Sequence, residues 1–174
     1  MTKSDECELL NDVYSQLLKA DEIAHSGIEN MEPAFLAEGA FTLLMINLND
    51  ALQTLSEGFD SRIKFQDYVP DGDITDLVNK FRCSLCHVRS KERNVLKGSS
   101  RVFFGRIGPG DGKTPAIVFE TDEGIEEIIN PFSDDDGLMY GHRIIYLNNH
   151  IKRSISEAME ATKQQAELKA YRLR

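Results

Sequence analysis

The sequence predicts a mainly α-helical protein, a bundle of four helices with a β-hairpin inserted between the third and the fourth. Two observations predict this fold class. Apolar residues recur at helical spacing in three long stretches before residue 87 and in one after residue 141. Between them lies a region of short β-branched and aromatic runs around a glycine-rich loop. The length of 174 residues suits one domain over the whole chain, 1–174.

The four helices are predicted from their apolar stripes and from their start and stop residues. The first runs from about Asp5 to Ser26, and the second from Pro33, a favoured first-turn residue, to Gly58. The third carries one apolar face over Ile74–Leu85, and the fourth starts near His142 and ends in a polar tail over about 163–174. Helices of this kind cannot bury their apolar faces alone, so they should pack as a bundle.

The predicted insertion spans about 98–130. Its strands are Arg101–Ile107 and Ala116–Glu120, and Ile125–Ile129 is either a third strand or a short helix. The connecting loop, Gly108–Thr114, resembles a phosphate-binding loop, but Ile107 occupies the first glycine position and a strand follows where that mechanism needs a helix. We therefore interpret the loop as a hairpin connection.

Composition limits the classes of function. A formal net charge of −9 argues against a general nucleic-acid coat, although a basic run of Arg89, Lys91 and Arg93 leaves room for a local anion site or for a simple solvated loop. No apolar run is long enough to span a bilayer, and the polar N-terminus lacks signal-peptide character. Three cysteines are too few for a disulfide scaffold, so we expect a reducing cytoplasm and no membrane.

A second motif, Cys83-Ser-Leu-Cys86-His87, matches the pattern that attaches c-type haem. Haem attachment and thioredoxin-like redox chemistry both need a context that this helical stretch does not offer, and free cysteines on a core-facing helix commonly act as small apolar residues. Zinc would need a second ligand pair, and His142 and His150 have no matching spacing. We expect no cofactor and no metal, while absorption in the visible range would reveal haem.

The motif of greatest interest pairs Arg82 with His87, with four residues between them, at the predicted end of the third helix. Here the chain resembles the HEPN superfamily, whose motif is an Arg, four to six residues, and a His. Cys86 before the histidine and the predicted order of helices add to the resemblance. The resemblance implies a HEPN-like four-helix bundle that forms a dimer, with the two motifs facing each other across a two-fold axis.

The residue types suit metal-independent cleavage of RNA. His87 can act as acid or base near neutral pH, and Arg82 can hold a phosphate bidentately. Arg89, Lys91 and Arg93 would then bind the RNA backbone. The resemblance implies an endoribonuclease, such as a toxin or a phage-defence effector, that acts as a homodimer with an antitoxin or another defence protein as partner.

Several alternatives stay open. Arg143 and His150 form a second pair, which the predicted last helix would place on one face, and Asn47 and Asp50 interrupt the second helix with polar groups. Many active HEPN members carry a polar residue after the arginine, whereas this chain has Cys83. The alternative function is therefore a catalytically inactive HEPN-like dimer that binds a partner or a nucleotide.

Overall fold

The computed structural model describes residues 3–32, 34–63, 72–86, 104–121, 124–140 and 143–171. Within these ranges the chain is mainly helical, as predicted, with four α-helices: α1 (Lys3–Ala24), α2 (Ala34–Phe59), α3 (Ile74–Cys86) and α4 (Arg153–Tyr171). The ends of the first three helices lie within a few residues of the predicted ones, whereas both ends of α4 differ from the prediction.

The helices pack around α2, which contacts α1, α3 and α4. Its mean hydropathy is the highest of the four helices because its sequence is apolar on more than one face. The centre of the bundle consists of side chains from all four helices and two strands that are almost wholly removed from solvent, each stabilising the fold by roughly 1.5–3 kcal/mol. They include Leu17, Phe41, Leu44, Leu48, Leu52, Leu55, Ile74, Val78, Phe81, Leu138, Ile145 and Ile155.

The turn between α1 and α2 begins at Gly27, which has a φ of 75° in the left-handed region that favours glycine. A short 3₁₀ helix, Ile28–Asn30, follows and places Ile28 in the core. The first helix thus ends within two residues of the predicted Ser26, and in the turn Ile28 is buried whereas Asn30 is exposed.

An ion-pair cluster fixes the start of α3. Asp73 accepts a hydrogen bond from the backbone N–H of Asp76 at 3.1 Å, as an N-terminal cap does, and a two-pronged contact from the guanidinium of Arg62. Partial burial favours the neutral acid, but the hydrogen bonds from Arg62 and Asp76 outweigh it and hold the pKa of Asp73 below its usual value. The segment after α2 is thereby tied to α3.

In the described ranges between α3 and α4, five strands form two antiparallel sheets. They are β1 (Phe104–Ile107), β2 (Pro115–Thr121), β3 (Gly124–Ile129), β4 (Gly137–Tyr140) and β5 (Arg143–Tyr146). The strand order is β1-β4-β5 in one sheet and β2-β3 in the other.

The predicted pairing of the hairpin is therefore wrong. Strand β1 does not pair with β2; Phe104 lies opposite Tyr140 of β4, while β2 pairs with β3. The reason is burial: all four residues of β4 are buried, so β4 must be a central strand with a neighbour on each side. The inserted β-region also extends to Tyr146 instead of ending near residue 130.

The loop 108–114, which resembled a phosphate-binding loop, folds around a side chain of its own. The Asp111 carboxylate accepts hydrogen bonds from the backbone N–H groups of Thr114 and Lys113 and from the Thr114 hydroxyl, and these bonds lower the pKa of Asp111 to about 2. Two backbone bonds, Gly110 N–H to Phe132 O and Gly112 N–H to Asn130 O, attach the loop to the segment before β4.

The beginning of the last helix was also predicted wrongly. Residues 143–146 form β5, because Ile144 and Ile145 are β-branched and pair with β4. One π-helical stretch, Leu147–Lys152, then leads into α4. The stretch predicted as a polar tail from residue 163 is helical as far as Tyr171, since its Lys, Gln, Ala, Glu and Leu residues have high helix propensity. No helix in the described ranges is both long and apolar enough to cross a membrane.

Candidate functional site

Arg82 lies on the last turn of α3 and is partly buried. Leu77, Val78 and Phe81 of the same helix are buried in the core, which fixes the rotation of the helix and with it the position of Arg82. His87 follows the last described residue of the helix, Cys86, directly in the sequence. The predicted site residues His87, Arg89, Lys91 and Arg93 lie outside the described residues.

Aromatic side chains hold the end of α3 against the bundle. The Phe81 ring makes an edge-to-face contact with Phe41 of α2, with centroids 5.6 Å apart and planes at 85°. Phe41 in turn contacts Phe104 of β1 at 5.4 Å. These two contacts connect the residue before Arg82 to the first strand through the core.

The cysteines near Arg82 are free thiols. The Cys83 thiol lies 3.7 Å from the side-chain oxygen of Asn79, one turn earlier on α3, and Cys86 is exposed. Cys83 therefore donates a weak hydrogen bond within its own helix.

The second Arg–His pair does not form a site of the predicted kind. Arg143 is on β5 and His150 is on the π-helical stretch, so the two are not on one face of one helix. His150 is only 3% exposed, and its Nδ1 accepts a hydrogen bond from the backbone N–H of Tyr146 at 3.2 Å. Burial lowers the pKa of His150 to about 4, so the ring is neutral near pH 7 and closed to a substrate.

The polar residues of α2 have local roles. The Asn47 amide is buried and donates to the backbone oxygen of Leu43 at 2.7 Å, which satisfies it within the helix. Asp50 is exposed and accepts a long hydrogen bond, 3.3 Å, from Asn49. Asn47 and Asp50, the two predicted secondary candidates, thus make these hydrogen bonds within α2.

A buried polar cluster that the sequence does not predict surrounds Asp135, which is 1% exposed. Its carboxylate accepts hydrogen bonds from the backbone N–H groups of Asn148 and Asn149, at 2.8 and 2.7 Å, and from the Asn149 amide at 2.9 Å. These are the first N–H groups of the π-helical stretch, which have no partner within the helix itself. The cluster is therefore a structural cap, and its donors come from residues more than ten positions away.

A cavity of about 340 Å³, which we call the Glu29 cavity, lies between the α1–α2 turn and β1 and is likewise not predicted by the sequence. Its polar residues are Glu29, Asn30, Glu32 and Arg106. The Arg106 guanidinium donates to Asp136 and to Asn30, and the Asn30 amide donates to Oε1 of Glu29 at 3.0 Å. Since Asn30 and Arg106 are 76 positions apart, no local sequence pattern could have revealed the cavity.

The described residues contain no group of three or more His, Cys, Asp or Glu side chains placed to hold a metal ion. No protein-family model, curated protein or solved structure matches the chain.

Proposed function

We propose that the protein is a metal-independent endoribonuclease of HEPN type, which acts as a homodimer through Arg82 and His87. The observation that carries the proposal is the position of Arg82 on the last turn of a firmly packed helix, five residues before His87 in the sequence. The contact between Phe81 and Phe41 holds the helix in place and so gives Arg82 a defined location. A side chain must have a defined location to position a phosphate for reaction.

The charge distribution supports an anionic ligand near this motif. Of the 20 Lys and Arg residues of the chain, six fall within residues 82–101, where Glu92 is the single acidic residue, although the whole chain has a net charge of −9. Such a concentration of cationic residues in an acidic protein favours a local phosphate-binding segment over a general nucleic-acid surface.

The burial of His150 also supports the choice of motif. A general acid or base must reach the proton that it transfers and titrate near the working pH. His150 fails on both counts, because it is 3% exposed and its pKa is about 4. The pair Arg82–His87 thus remains the better of the two Arg–His pairs.

The proposed reaction is attack by the 2′-hydroxyl of RNA on the adjacent phosphorus. One His87 of the dimer removes the proton of the 2′-hydroxyl, the 2′-O–P bond forms, and the P–O5′ bond breaks. His87 of the second protomer protonates the departing 5′-oxygen, which leaves a 2′,3′-cyclic phosphate and a 5′-hydroxyl. Arg82 stabilises the negative charge that develops on the phosphorane.

The test compares the parent protein with Arg82→Ala and His87→Ala on total RNA in the presence of EDTA. Loss of a general acid–base group should lower the rate by at least about 100-fold. His25→Ala, which alters an exposed histidine directly after α1, and Arg153→Ala, which alters an exposed ion pair on α4, serve as matched controls and should cleave normally. Equal cleavage by all variants would contradict the proposal.

A second candidate, the inactive HEPN-like dimer, is favoured by one observation. Cys83, the residue after Arg82, offers only a weak hydrogen bond, and that bond is directed to Asn79 of its own helix. A folded dimer that binds RNA or a partner protein but gives no cleavage would support this module and would contradict the nuclease.

A further inference from the structure

The sheet formed by β2 and β3 presents an apolar face to solvent. Residues at alternate positions of a strand share a face, so Ile125, Glu127 and Ile129 of β3 lie on the same side. Val118 of β2 is directly opposite Glu127 in the register and belongs to that side as well. The three apolar side chains are exposed, Val118 to 58%, Ile125 to 71% and Ile129 to 37%. We call these four residues the Val118 face.

The other side of the same sheet is less exposed. Ile117 and Ile128 are paired in the register, lie on that other side and are half-buried. Among the described elements, β2 and β3 contact chiefly each other. A sheet of two strands is marginally stable alone and is ordinarily stabilised by packing against a further element. A group of exposed Val and Ile side chains on such a sheet therefore indicates an interaction surface, which a single exposed apolar residue would not.

The sequence around the Val118 face is strongly acidic. Residues 114–141, which contain both strands, include eight Asp and Glu residues and no Lys or Arg, so they carry a formal charge of −8 in a chain of net charge −9. Glu127 lies at the centre of the face and is exposed. An occupant with the same sign of charge would be repelled, which disfavours nucleic acid, an anionic membrane and a second copy that presents the same face. The complementary occupant is a protein segment that is both apolar and cationic.

The dimensions of the sheet match those of one α-helix. Adjacent strands lie about 4.8 Å apart, so two strands with their side chains span roughly 10 Å, which is the diameter of a helix. The strands contain seven and six residues, which corresponds to a length of roughly 20 Å, or about 13 residues of helix. A helix packed on a sheet is one of the few arrangements by which proteins bury a sheet face.

We infer that the Val118 face binds a basic amphipathic helix of a partner protein. An apolar stripe with the spacing i, i+3, i+4 and i+7 would cover the three exposed apolar side chains of the face. A Lys or Arg beside that stripe would pair with Glu127, and further cations would face the acidic residues nearby. The inference does not rest on the proposed function, because binding at this face is measured in the absence of RNA.

Selection from a displayed peptide library tests the inference. The library presents helical peptides of about 14 residues with randomised surface positions, and the full chain is the bait. The enriched peptides should contain an apolar stripe at helical spacing and an excess of Lys and Arg over Asp and Glu. The absence of enrichment, or enrichment of peptides that are neutral or acidic, would overturn the inference.

Two variants locate the binding of the most enriched peptide, which is measured by fluorescence anisotropy. Ile125→Ser removes the most exposed apolar side chain of the face and should weaken binding at least about fivefold. Glu127→Lys reverses the central charge and should also weaken binding at least about fivefold. Leu168→Ser on α4 and Glu22→Lys on α1 change exposed residues elsewhere, and these matched controls should bind like the parent. Thermal melting verifies that each variant is folded.

Peptide binding that survives both Ile125→Ser and Glu127→Lys would overturn the inference. Two further measurements address other occupants of the face. A dimer of the parent that dissociates in Ile125→Ser, as measured by sedimentation velocity, would assign the face to a second copy. Displacement of the selected peptide by a synthetic peptide with the sequence of residues 82–101 would assign the face to the basic segment of this chain. Either result would overturn the choice of a partner protein, whereas an unchanged oligomeric state and no displacement support it.

Discussion

His150 lies between groups of opposite charge, and its burial decides its protonation state. Removal from water lowers its pKa to about 4; Asp135 opposes this shift and Arg153 adds to it. Its Nδ1 accepts the N–H of Tyr146, and the rings of Phe132 and Tyr146 pack edge-on near it. A proton on Nδ1 would remove this acceptor and place a charge in an aromatic environment.

This environment predicts a loss of stability in acid. The unfolded chain takes up a proton on His150 near its ordinary pKa of 6.5, whereas the folded protein does so only near 4. The free energy of unfolding should therefore fall as the pH drops through this window, by up to about 3 kcal/mol. Urea unfolding from about pH 7 to about pH 4.5 measures the slope.

A neutral replacement isolates the contribution of His150. His150→Phe should be less dependent on pH over the same window, because it has no proton to gain there. His25→Gln, which changes an exposed histidine, should keep the dependence of the parent. A parent slope that persists unchanged in His150→Phe would show that other groups cause it.

Asp135 provides a second prediction at the scale of one residue. In the folded protein the Asp135 carboxylate accepts hydrogen bonds from N–H groups of Asn148 and Asn149. Asp135→Asn replaces one carboxylate oxygen by an NH₂ group, so that a donor would face these donors. A buried donor that loses its acceptor costs about 1–3 kcal/mol, and more when the acceptor was charged. We expect the free energy of unfolding to fall by about 3 kcal/mol, measured by urea titration.

Asp134→Asn is the matched control for that variant. Asp134 precedes Asp135 and is exposed, and it contributes a backbone oxygen, not its carboxylate, to the contact with Asn148. Its substitution should change stability by less than about 0.5 kcal/mol. A similar loss in both variants would mean that the carboxylate of Asp135 is not what holds the π-helical stretch.

At the scale of elements, the loop between β1 and β2 is held by close backbone contact. Gly110 donates its N–H to Phe132, and a Cβ at this position would overlap the backbone oxygen and the Cβ of Asn130. Asn130 cannot yield easily, because its buried amide donates to the backbone oxygens of Gly108 and Asp135. The loop therefore requires glycine at residue 110 for space.

Gly110→Ala should accordingly lower the free energy of unfolding by about 1–3 kcal/mol, as overpacking does. Gly108→Ala is the matched control, since an added Cβ there meets no atom within 4 Å. Thermal unfolding of the two variants tests this difference. Equal melting temperatures would mean that the loop can separate from Asn130 without cost.

The elements also show which parts of the fold the sequence could predict. The helices were predictable because a buried stripe repeats locally along each of them, as on α3 with Leu77, Val78 and Phe81. The pairing of β1 with β4 was not, because it joins Phe104 to Tyr140 across two intervening strands. The start of α4 was misplaced because the apolar spacing of Ile144, Leu147 and Ile151 fits a helix and a strand-to-helix junction equally well.

The candidate functional residues also differ in whether the sequence could predict them. Arg82 and His87 could be selected from the sequence because the motif is local and a helix carries it. Glu29, Asn30 and Arg106 could not, since tertiary packing alone brings the turn before α2 to β1. For His150 the sequence was misleading, because its spacing from Arg143 suggested a site, whereas the side chain is buried in the structure.

For the whole molecule, charge should determine how RNA binding depends on salt. The chain has a net charge of −9, so cationic residues spread over its surface contribute little, whereas the segment 82–101 is strongly basic. Each phosphate that a cation neutralises on a single strand contributes about −0.7 to the slope of log affinity against log salt. Under the proposed function, Arg89, Lys91 and Arg93 supply part of this slope.

Replacement of Arg89, Lys91 and Arg93 together by alanine should therefore make the slope less steep by about 2, measured by fluorescence anisotropy of a labelled single-stranded RNA over a series of KCl concentrations. The matched control replaces Lys19, Lys113 and Lys163, which are exposed and lie outside the segment, and so removes the same net charge. If RNA contacts the basic segment, only the first variant should change the slope, because counterion release depends on which phosphates are contacted. Equal changes in both variants would instead mean that RNA senses only the total charge of the molecule, and the local site would lose its support.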